Sequence, residues 1–302
     1  MRAYGFLDVG GPDQEAFLDV PVPEPGPGEL RVRVRAAGVN PGDWRMRRGE
    51  YGIAGPAVLG REVAGTVVAT GEGVTDVAVG DEVFGGCPGM VGGWAEQALV
   101  TASFAAHRPS SVRPEDAAAL PVAAGTAYDA LNALALPVGA TLLVNGAGGG
   151  VGIPTVQLAR ARGLRVVGTA GAGKQDLVAG LGAVPVTGGD GVADRVRAAA
   201  ADGVDGVFDL VGGDALRAVA PLTASGRLVS VADKPLVAHL GGRDVPRDRS
   251  TAVLDALAAL VAAGELDPWV RTVEPFERSG EALARVEEGH VLGKVVITMD
   301  GA

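Results

Sequence analysis

The sequence predicts an α/β chain of two domains, one rich in short strands and one a doubly wound parallel sheet. Three observations point there. The chain has 302 residues, more than one average domain holds. Up to about residue 120 the apolar runs are short and bounded by Gly and Pro. Beyond it, strand-like apolar runs alternate with helix-like ones. That alternation implies parallel strands, because a parallel return needs a crossover helix.

The elements follow in order. "VPVPEPGPGE" (20–29) is too rich in proline for a regular element and reads as an extended connection. "LRVRVRAAGV" (30–39) alternates, as a half-buried strand does, and "EVAGTVVAT" (62–70) and "WAEQALVTA" (94–102) are further strands. "TLLVN" (141–145) precedes a helix that carries Pro154 in its first turn, where the missing N–H costs little. Strands at 164–170, 183–187, 204–212 and 226–232 then alternate with helices near 174–181, 192–201 and 214–221. A helix near 251–263 leads to the strand "GKVVITM" (293–299), expected to rejoin the first domain. The expected division is 1–120 with 268–302, and 121–267.

Apolar residues make up 47% of the chain, enough for substantial cores, and no apolar run reaches the length of a membrane span. The formal net charge of −10 argues against nucleic acid or an anionic membrane as main partner. Cys87 is the only cysteine, which excludes an internal disulfide and a cysteine-rich metal site and fits a reducing cytoplasm. The N-terminus has no apolar core or cleavage signature, so no signal peptide is expected.

"NGAGGGVG" (145–152) stands between a buried strand and a helix. A dinucleotide diphosphate sits at such a place in Rossmann-type folds, on free helix N–H groups and the helix dipole. Ala147, Gly149 and Gly152 fit the spacing of the G-x-G-x-x-G fingerprint, with Ala in the first place. Gly148, Gly150 and Val151 complete the expected cradle. The alternative is a tight turn that needs positive φ angles. An NAD site usually places an acid about 20 residues on, at the end of the second strand. Here that strand ends in Thr169, Ala170 and Gly171, and no acid follows before Asp176. Lys174 can reach a 2′-phosphate, which favours NADPH; the alternative is a solvated lysine at a helix start.

"GVNPGDWRMRRGEY", "GREVAGTV", "VAAGTAYDAL", "NGAGGGVG", "FDLVGG", "GRLVSV" and "GKVVIT" occur in an order that resembles the zinc-independent medium-chain dehydrogenase/reductases, in their quinone oxidoreductase (zeta-crystallin-like) branch. The resemblance covers nearly the whole chain. It implies a GroES-like catalytic domain interrupted by a Rossmann domain, an active site in the cleft between them, NADPH-dependent two-electron reduction and a homodimer. In zinc-dependent relatives a cysteine takes the place of Asn40 and a histidine that of Arg61. Glu62 remains, and one carboxylate does not hold zinc. His107, His239 and His290 show no ligand spacing, so no metal is expected.

Without a metal the acceptor must itself take hydride well, as a quinone or an enone does, and the protein holds the nicotinamide near it. By resemblance, Asn40 hydrogen-bonds near the nicotinamide or the acceptor oxygen; otherwise it is a turn residue before Pro41. Tyr51 stands at the spacing at which related enoyl thioester reductases carry a proton donor; otherwise it is a packed loop tyrosine. Asp43 is expected to cap the following turn, and Arg61 to pair with Glu62 or a neighbour. Thr126 resembles a position that touches the nicotinamide ribose or amide. Val211, Gly212, Ser230 and Val231 lie at the carboxyl ends of later strands, where ligands collect in open α/β sheets. Two departures stand out. "VPVTGGDG" (184–191) has no aromatic where relatives often carry a tyrosine near the adenosine phosphate, and Leu292 stands where they often carry Arg. The segment 233–250 is short and polar.

The expected function is NADPH-dependent hydride transfer to a quinone or similar conjugated carbonyl. An NADPH-dependent enoyl or enone reductase, and a non-catalytic NADPH-binding protein, are the alternatives.

Overall fold

A computed structural model describes residues 1–299 apart from Ser225 and His290. The chain forms two compact units. The first is Met1–Val122 with Arg249–Gly264 and Val270–Ala302; the second is Ala123–Asp248 with Glu265–Trp269.

The strand Glu29–Val39 organises the first unit. Leu30, Val32 and Val34 turn inward while Arg33 and Arg35 face water. It pairs along most of its length with Glu62–Thr70, through two register irregularities. Its other edge changes partner: Gln97–Thr101 bonds the first half, Lys294–Thr298 the second. A strand that hands over partners midway bends the sheet around a core, as in a barrel. The core is Val, Leu and Ala with the fully buried Trp94. The last strand thus belongs to this sheet, beside Val270–Pro275. The helix Thr251–Ala262 also packs in the first unit, against Ala105–His107.

The second unit holds six parallel strands, in the order Val184–Thr187, Arg165–Ala170, Thr141–Asn145, Gly206–Asp209, Leu228–Ser230 and Arg243–Asp244. Thr141–Asn145 is buried on both faces, which explains its uninterrupted apolar run. Its two neighbours lie on opposite sides, so the strand order reverses there. That reversal opens a crevice at the carboxyl ends. The segment 233–250 is more regular than its composition suggests. Asp233 caps the helix Lys234–His239 by accepting from Leu236 N–H at 3.1 Å, and Val237 is fully buried. Too few apolar residues repeat there for periodicity to show it.

Candidate active site

At the glycine loop, Ala147 N–H donates to Thr169 O at 2.8 Å and Gly149 N–H to Gly146 O at 3.3 Å. The main chain then runs through Gly148, Gly149 and Gly150 to Val151, the N-cap of the helix Gly152–Ala161. The two outer glycines of the fingerprint do different work. A Cβ on Gly152 would lie 2.2 Å from Gly146 O, so this residue lets the helix Gly152–Ala161 close against the loop. A Cβ on Gly149 would meet nothing nearer than 3.6 Å. The fold does not need a glycine there, whereas a ligand lying on the main chain does. The cradle fits a diphosphate. Lys174 lies over it, since a Cβ on Gly148 would come within 2.8 Å of its Cδ. Burial lowers the Lys174 pKa, a penalty that a nearby phosphate would offset.

The carboxyl edge carries a ladder of buried polar side chains in register. Thr169 pairs with Asn145, Asn145 with Asp209, and Asp209 with Ser230, across four neighbouring strands. Thr169 Oγ1 donates to Asn145 Oδ1 at 2.6 Å, and Asn145 Nδ2 donates to Asp209 Oδ1 at 2.7 Å. Ser230 Oγ donates to Asp209 Oδ2, also at 2.7 Å. Gly146 N–H donates to Thr169 Oγ1 and Gly212 N–H to Asp209, so the ladder also sets the loops that follow two of these strands. Val211 and Thr169 line a cavity of about 590 Å³ with Gly146, the loop Gly188–Gly191, Asp214 and Ala218. The Val231 N–H donates to Asp209 O. Thr126 is buried in the helix Gly125–Leu134 and does not line that cavity. Sequence reasoning missed Asn145 and Asp209 as site-builders. Their signal is a polar residue ending an otherwise apolar strand, twice.

In the first unit, Asn40 is the extended residue before the helix Pro41–Arg47. Its backbone N–H donates to Asp43 Oδ2 at 2.7 Å, so Asp43 caps the helix as expected. The Asn40 side chain is held from both ends: Nδ2 donates to Glu62 Oε1 and Oδ1 accepts from Lys294 Nζ, each at 2.8 Å. Lysine only donates and carboxylate only accepts, so the amide has one possible orientation. Lys294 Nζ also donates to Glu62 Oε1 and to Val39 O, and Val122 N–H donates to Glu62 Oε2. Glu62 therefore pairs with Lys294. Arg61 turns elsewhere: it donates to Gly42 O at 2.9 Å and lies over the Tyr51 ring, 4.7 Å from its centroid. Its Nε is 3.7 Å from Asp43 Oδ1, too far for a hydrogen bond, and neither atom has another partner among the described residues. Burial pushes the Asp43 carboxyl up to about 6, against the pull of Arg61. Tyr51 is about half exposed. Lys294 was the residue sequence reasoning passed over, a lone cation opening a buried strand.

The donor set does not suit zinc. An ammonium already satisfies Asn40 and Glu62, a guanidinium stands beside Asp43, and Cys87 is buried with its thiol pKa pushed up. Among the described residues no group of His, Cys, Asp and Glu could hold a metal; His290 lies outside them.

Residues 26–110 match the family model described as alcohol dehydrogenase GroES-like domain, and 181–297 that described as zinc-binding dehydrogenase. Quinone oxidoreductase of Rattus norvegicus is 31% identical, over 99% of this chain and 98% of its own. The chain belongs to the zinc-independent medium-chain dehydrogenase/reductases, in their quinone oxidoreductase branch. The structure of a quinone oxidoreductase from Coxiella burnetii superposes with a TM-score of 0.90 at 26% identity, covering 99% of both chains. Members of this family bind a nicotinamide cofactor and act on small molecules, and this one is an oxidoreductase. The NADPH-dependent alkenal/one oxidoreductase of Arabidopsis thaliana is 31% identical over 98% of this chain and 79% of its own. Polyketide synthase GfsB of Streptomyces halstedii is 36% identical over 88% of this chain, which spans only 5% of that protein. Among the described residues of this dehydrogenase/reductase, no helix is long and apolar enough to cross a membrane.

Proposed function

We propose that this oxidoreductase transfers hydride from NADPH to a quinone or a similar conjugated carbonyl. The observation that carries the reading is the bare cradle at Gly148–Val151 with Lys174 laid across it. The second strand ends in Thr169 and Ala170 without an acid, so a 2′-phosphate meets a cation there and no carboxylate from that strand. When bound, the nicotinamide supplies the hydride. The chain's own residues do the rest. The main chain of the loop Gly148–Val151 holds the diphosphate at the helix N-terminus, Lys174 takes the 2′-phosphate, and Val211, Gly212, Ser230 and Val231 offer backbone at the carboxyl edge. Asn40, its oxygen engaged by Lys294, acts as a donor and steadies charge that develops on the acceptor oxygen. We place the enzyme in the cytoplasm as a homodimer, on the strength of the family resemblance and the near absence of cysteine.

Reduction of an enone or enoyl group is the second reading, and Tyr51 favours it. Its half-exposed phenol beside the Arg61 guanidinium can deliver a proton to carbon after hydride arrives. The alkenal/one oxidoreductase likeness supports it too. Turnover of NADPH with a para-quinone, an enone and an enoyl thioester separates the readings. Tyr51→Phe should slow the enone and enoyl acceptors roughly 100-fold and the quinone far less, because water protonates a quinol dianion. Lys174→Ala should weaken NADPH about tenfold by fluorescence titration and leave NADH within twofold. Equal losses for both cofactors would refute the phosphate role.

A further inference from the structure

The loop Gly188–Gly191 lines the 590 Å³ cavity, and three of its four residues are glycine. Such a loop is loose on its own account, since each glycine loses the most freedom on being ordered. The structure supplies a device that holds it. Arg195, on the first turn of the helix Val192–Ala199, bends its guanidinium back over the loop. Its Nε donates to Thr187 O at 2.9 Å, Nη1 to Asp190 O at 2.8 Å, and Nη2 to Gly188 O at 3.1 Å and Gly189 O at 3.3 Å. One side chain thus gathers four consecutive carbonyls, including that of every loop residue before Gly191.

That arrangement has a use beyond stability. Arg195 is exposed and its partners are backbone oxygens that water would otherwise solvate, so each bond is worth only about 1 kcal/mol net, yet the four act on one short loop. What they do is hold one wall of a cavity in a single shape. The cavity adjoins the glycine cradle through Gly146 and Thr169 and runs along the end of the second strand, Thr169–Gly171, the position at which a dinucleotide's adenosine ribose is read in Rossmann-type folds. We infer that Arg195 is a positioning residue that pre-organises the Gly188–Gly191 loop for the adenosine half of the cofactor. The inference rests on the nicotinamide-nucleotide reading above. It predicts that Arg195 acts on cofactor affinity through one half of the molecule only, and leaves the reacting half untouched.

Three probes test it with the full-length protein: NADPH, 2′-phospho-ADP-ribose, which is the adenosine half, and reduced nicotinamide mononucleotide, the other half. Arg195→Met should weaken NADPH and 2′-phospho-ADP-ribose by a common factor of about ten, the ordering cost of a freed loop, and leave the mononucleotide unchanged. The cofactor KM should rise by the same factor, with turnover at saturation within twofold of the parent. Arg195→Lys, whose single ammonium cannot span four carbonyls, should fall between. Added guanidinium ion at millimolar concentration should partly rescue Arg195→Met. The inference fails if Arg195→Met leaves both larger ligands within twofold of the parent. It fails too if the mononucleotide weakens as much as the fragment, since that marks a general loss of structure. A parent protein that binds neither NADPH nor NADH would sink the cofactor reading itself, and this inference with it.

Discussion

Asp43 carries a carboxyl that burial has raised from 3.8 to about 6, and that shift makes it a pH-sensitive group of the first unit. A carboxyl that holds its proton more tightly when folded favours the folded state at low pH. Its contribution is present below about 4 and is lost as pH rises through 6, a difference on the order of 1–3 kcal/mol. Asn at this position still accepts from the Asn40 N–H but does not titrate. Asp43→Asn should therefore be more stable than the parent at pH 7.5, with the gap closing toward pH 4; melting curves across that range test it, and a constant gap would rule it out. Lys294 and Glu62 form a different kind of site, a buried pair whose hydrogen bonds are all made. Removing one partner leaves a charge without compensation. Lys294→Met should cost about 3–5 kcal/mol in denaturant titrations, and Glu62→Gln in the same chain should recover about half of it.

At the scale of elements, the glycine loop joins two demands that one substitution series can separate. Gly152 serves the packing of helix on strand; Gly149 serves whatever lies on the loop. Gly152→Val should unfold or strongly destabilise the second unit, by about 3 kcal/mol or more. Gly149→Val should keep its circular dichroism spectrum and lose NADPH binding. If Gly149→Val binds NADPH as the parent does, the loop is only a turn. The element pattern itself was well marked in the sequence. Thr141–Asn145, Arg165–Ala170 and Gly206–Asp209 are apolar runs bounded by glycine, and each falls where its run predicts. The helix Lys234–His239 and the strand Arg243–Asp244 were not marked, because only scattered positions of a polar segment are buried. The ladder from Thr169 to Ser230 was likewise hidden. Its members are up to 85 positions apart in the chain, between Asn145 and Ser230, and only strand register makes them neighbours.

For the molecule as a whole, ligand binding and stability are linked, since a cofactor that binds only the folded chain stabilises it. NADPH at 100 times its Kd should add about 2.7 kcal/mol to the unfolding free energy of the unit that holds it, seen as a raised Tm. Gly149→Val should show no such rise, and a parent without one would speak against the cradle. The fold class, the glycine loop between strand and helix, and the family were legible in the sequence alone. They depend on the order and type of residues, which patterning and motif spacing record directly. Tertiary structure alone decided that Lys294 fixes the Asn40 amide, that Arg61 leaves Glu62 for Tyr51 and Asp43, and that Arg195 clamps the cavity loop. These are choices among equally available partners. They turn on distances of a few ångströms between residues remote in the chain or folded back on a loop, and linear spacing does not encode those distances.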